Sequence, residues 1–298
     1  CKNKNVLNEM KLTSFNLVKY TNWLSNNLSL DQKENMLKNI NINNLINDIY
    51  FKVIKLGLEY ISNDKNDLDK EEYIDSLWKK VSNYIEPLID ILPIVDSSIN
   101  MDGMNLHKAL GIAILIAEKS NIGKKLIISN VNYFLINLDN CNGLISILKV
   151  INPYLFKVNS NLKNSFNSIC SLMQRDEEYK KIRNKINILI LSNLKAELCE
   201  TENKINFLSK TFLFNKINIK TIFWVFDGLD CLESSINKSI INIGNIRMIN
   251  ELWSKKFGCV SIILTSEMIF LKYITKLMKK DKFRLLDDHI IRHFFTPI

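Results

Sequence analysis

The chain has 298 residues, the length of one large or two ordinary domains. Hydrophobic residues at 47% and charged residues at 24% exclude wholesale disorder and fibrous design, and only 8 Gly and 4 Pro argue against an all-β fold built on tight turns. The formal charge of +9 favours contact with a polyanion, but five of the 40 basic residues are Arg, so any nucleic-acid contact is expected on the phosphate backbone rather than on base edges.

Lys, Asn and Ile are inflated throughout, as an AT-rich genome writes them. The six cysteines, at 1, 141, 170, 199, 231 and 259, form no CxxC pair, which points to reduced thiols and gives no zinc or redox motif. The longest apolar stretch, Leu110 to Ala117, is far short of a membrane span. The chain starts at Cys1 without Met, which reads as a fragment excised from something longer and truncated at its C-terminus.

In chain order, residues 1–105 read as a helical N-terminal lobe or insertion. Leu17, Tyr20, Trp23 and Leu24 make one apolar stripe, and Ile49, Val53, Ile54, Leu56 and Leu58 make another, at helical spacing. Asp67 or Asp69 is placed to cap a helix carrying Trp78, Val81 and Ile85, which Pro87 and Pro93 then bend or end.

Residues 106–298 change in texture. Short apolar runs at Gly111–Ala117, Asn132–Leu138, Thr221–Phe226, Cys259–Leu264 and His289–Phe295 read as strands buried on both faces of a parallel sheet. Helical periodicity lies between them, at Ile182, Ile186, Ile190 and Leu194 and again at Met248, Ile249 and Leu252. Strands alternating with helices predict an α/β sheet with crossover connections.

The most specific local pattern is TIFWVFDGLDCL, Thr221 to Leu232. An apolar strand ending in Asp227 places a carboxylate at the sheet edge where open α/β folds bind ligands, and a hard cation such as Mg²⁺ takes such an oxygen. The next strand, SIILTSE, carries Thr265 and Ser266 at its tip, where a hydroxyl can face a γ-phosphate.

Together with INFLSKTFLFNKINIK before the first strand, IRMINEL between the two and MIFLKYI after the second, these residues resemble the AAA+ region of origin recognition complex subunit 5, in the ORC/Cdc6-type family. The resemblance covers about 90 residues. It implies a P-loop, AAA+-like parallel sheet, with Asp227 as a Mg²⁺ ligand and Asp230 and Thr265 beside the nucleotide. Upstream, AILIAEKSNIGKK (113–125) offers Gly123 and Lys124 as the phosphate-binding loop, but Glu118 stands where its first Gly belongs and Lys125 where its Ser/Thr belongs. Either this loop is degenerate, or the true one precedes residue 1, or the match is coincidental. Gly228 replaces the usual catalytic Glu after Asp227, so the resemblance implies at most a degenerate ATPase in which ATP and Mg²⁺ are structural ligands. It further implies a nuclear subunit of a DNA-replication initiator complex, partnered by other initiator subunits and, through the assembly, by double-stranded DNA.

Two other classes compete. A secreted, metal-free ribotoxin would pair Glu9 with His289 or His293 as acid and base, an arrangement that resembles the killer toxins of yeast linear plasmids. The third is a helical scaffold with a small sheet and no ligand. The basic turn Lys276–Lys282 reads as a solvated loop unless DNA phosphates meet it.

Overall fold

The structure, a computed structural model, describes residues 28–29, 32, 42–63, 67–85, 91–97, 101, 103–129, 133–155, 187–192, 220–225 and 260–264, with the backbone alone for 42–49, 84, 133, 220–225 and 260–264. The elements are helices α1 (Ile42–Ser62), α2 (Leu68–Tyr84), α3 (Met104–Lys119) and α4 (Leu144–Ile151), and strands β1 (Ile91–Asp96), β2 (Lys125–Ser129), β3 (Tyr133–Asn137), β4 (Asn187–Ser192), β5 (Lys220–Val225) and β6 (Val260–Leu264). A short 3₁₀ turn, Asn152–Tyr154, follows α4.

The strands form one sheet in the order β3-β2-β1-β4-β5-β6. All neighbours are parallel except β2 and β3, which pair antiparallel at one end with Ser129 opposite Tyr133. The fold is therefore α/β, with a mixed and mostly parallel sheet. The expected strands at 221–226 and 259–264 are β5 and β6, and 132–138 contains β3, although β3 runs antiparallel rather than parallel. The run expected at 289–295 lies outside the described residues.

Three expectations are corrected. Gly111–Ala117 is the middle of helix α3, not a strand. The four-residue recurrence from Ile182 to Leu194 does not give a helix at 187–192, which is β4. Pro93 does not terminate a helix but sits within β1, so the sheet begins at Ile91, ahead of the boundary drawn at 105. Pro93 pairs with Leu189 of β4 and sits one residue before Ile94, the first β1 residue paired to β2, so its missing N–H falls at the start of the β1–β2 ladder.

Side chains alternate across the sheet, as strand geometry requires. Ile91, Val95, Leu126, Ile128, Ile136, Leu189 and Leu191 join the helices in one core. Leu92, Ile94, Ile127, Ile188 and Ile190 point to the opposite face and are also buried. Strands covered on both faces have no polar alternation, which is why they read as unbroken apolar runs.

Helix α3 packs on β1, β2 and β4, and α1 packs on α3, α2 and α4. With protein on several sides, nine consecutive residues of α3, Ala109 to Ala117, are buried, and that stretch is apolar on every side of the helix. Small residues allow the close approach: a Cβ on Gly111 would lie 2.7 Å from the Tyr50 ring. Asp67 caps α2, its carboxylate accepting from the Lys70 N–H at 3.1 Å, as its position in the charged loop predicts.

Candidate functional site at the carboxyl edge of the sheet

The strands β1, β2, β4, β5 and β6 are parallel and end on a common rim. Their last residues fall in one rung: Ser129 opposite Asp96, Ser192 opposite Val225, and Val225 opposite Leu264. The β1–β4 ladder runs to Val95 opposite Leu191, so Asp96 and Ser192 are the next pair, and the Ser192 hydroxyl donates to the Asp96 carboxylate at 2.6 Å.

Within this rung Ser129, Asp96 and Ser192 lie on the face opposite α3, directly beyond Ile127, Ile94 and Ile190. The three are buried: Asp96 is 4% exposed, Ser192 1% and Ser129 0%. Ser97, the next residue, donates both its N–H (2.9 Å) and its hydroxyl (3.2 Å) to the Ser129 carbonyl, which ties the end of β1 to the end of β2.

Sequence reasoning missed this group. The signal was present, because ILPIVD has the same form as TIFWVFD, an apolar run closed by Asp, but Pro93 made the segment read as the end of a helix.

The residues that sequence reasoning did select divide between two edges. Asp227 and Asp230 follow β5 by two and five positions, and Thr265 directly follows β6; all three lie outside the described residues. The strands that lead to them are adjacent, parallel and end in register.

Gly123 and Lys124 lie instead in the turn between α3 and β2, at the amino edge of the sheet. A phosphate loop runs from strand to helix, whereas this turn runs from helix to strand. Gly123 has φ +88° and Lys124 donates its backbone N–H to Asp139 at 3.1 Å, so a group that would have to cradle phosphate is committed to the protein. The Lys124 carbonyl accepts from the Leu138 N–H at 2.7 Å. Glu118 turns away from any such role: its carboxylate accepts from Trp78 Nε1 at 3.2 Å and from the Ser82 hydroxyl at 2.8 Å, joining α3 to α2. Burial pushes its carboxyl above the ordinary glutamate range, against the pull of those two hydrogen bonds. In this arrangement the residues at 113–125 do not form a phosphate cradle.

Glu9, His289 and His293 lie outside the described residues. Among the described residues no three His, Cys, Asp or Glu side chains gather as a metal cluster, Cys141 is a buried free thiol, and no helix is long and apolar enough to cross a membrane. No protein-family model matches the chain, and no match is found among curated proteins.

Proposed function

We propose that the chain is a nucleotide-binding, AAA+-like subunit of a DNA-replication initiator assembly, in which ATP with Mg²⁺ serves as a structural ligand and hydrolysis is weak or absent. The observation that carries the reading is the parallel pairing of β5 with β6, with Val225 opposite Leu264, because each strand ends just before a residue chosen on chemical grounds, Asp227 or Thr265. Open α/β sheets bind ligands outside the carboxyl ends of their strands. Asp227 would hold the cation and Thr265 would face the terminal phosphate. Gly228 leaves no carboxylate immediately after Asp227 to orient an attacking water. The replication context comes from the resemblance of Ile205–Leu232, Ile246–Leu252 and Ser261–Ile274 to origin recognition complex subunit 5, and the charge of +9 suits an assembly that encircles or lines DNA.

The test is binding of a fluorescent ATP analogue with Mg²⁺, followed by anisotropy, in the wild type and in Asp227→Ala. The reading expects saturable binding that weakens by roughly tenfold or more in the variant, as loss of a metal-site carboxylate produces, together with phosphate release no faster than in buffer. Equal binding by both proteins contradicts it.

A further inference from the structure

We draw no further inference here: the strongest candidate, the side-chain cluster on α1 and α3 in which the ammonium groups of Lys52 and Lys108 lie 5.8 and 5.7 Å from the centre of the Phe51 ring, is a patch of partly buried residues in which Lys52 already has a further interaction, and nothing in the structure shows what covers it.

Discussion

Glu118 occupies the first-glycine position of a phosphate-loop pattern in the sequence and is a packing group in space. Its carboxylate is half-buried between α2 and α3 and accepts from Trp78 and Ser82, partners 40 and 36 positions away. Glu118→Ala leaves an indole N–H and a hydroxyl without their acceptor, at a cost of about 2 kcal/mol. Urea unfolding measures that loss, and a change in Trp78 emission should accompany it. Burial raises the Glu118 carboxyl, so the folded state holds its proton more tightly than the unfolded chain does. The resulting contribution to stability is full below the unfolded glutamate value and is lost as pH rises through the raised folded value. Glu118→Gln, which cannot titrate, should therefore gain stability relative to wild type over that interval; parallel pH–stability curves for the two proteins would contradict the assignment. Asp96 illustrates the opposite error. Its apolar-run-plus-Asp signature was as legible as that of Asp227, but the proline three positions before it obscured it. The hydrogen bond from Ser192, 96 positions away, marks it as part of a group.

At the scale of elements, local sequence identified β5, β6 and β3 because each is a short apolar run bounded by polar residues. It failed where burial removes periodicity. Helix α3 is covered on so many sides that GIAILIA is indistinguishable by pattern from a two-sided strand, and β4 was hidden by isoleucines that recur every four residues. The register of β1 with β4 brings together residues 96 positions apart, which no local pattern reports. The start of α4 depends on a similarly distant contact. Asp75 of α2 accepts from the Ile145 N–H at 3.0 Å, and Gly143 at φ +90° leaves room for that carboxylate, which a Cβ would overlap. Gly143→Ala should cost about 2 kcal/mol or more from backbone strain and collision together. In an Asp75→Ser background the collision is removed, so the alanine should cost less; equal costs in both backgrounds would refute the contact. Gly111→Ala should also destabilise, by about 1–3 kcal/mol despite better helix propensity, because the buried Tyr50 ring blocks the new methyl. Thermal unfolding checks both variants.

At the scale of the molecule, the strand order divides the chain's chemistry between two rims. The amino rim carries Gly123 and Lys124 in a turn closed by Asp139 and Leu138. The carboxyl rim carries Ser129, Asp96 and Ser192, and leads onward to Asp227 and Thr265. The adjacent strands β5 and β6 were thus legible in the sequence, whereas the place of the upstream glycine–lysine turn was not, because a motif specifies residue types but not which end of a strand they occupy. Hydrogen–deuterium exchange with and without Mg²⁺ and ATP separates the two rims most directly. The account predicts new protection in peptides that follow β1, β4, β5 and β6, with the 120–125 turn unchanged; protection confined to 120–125 would contradict it.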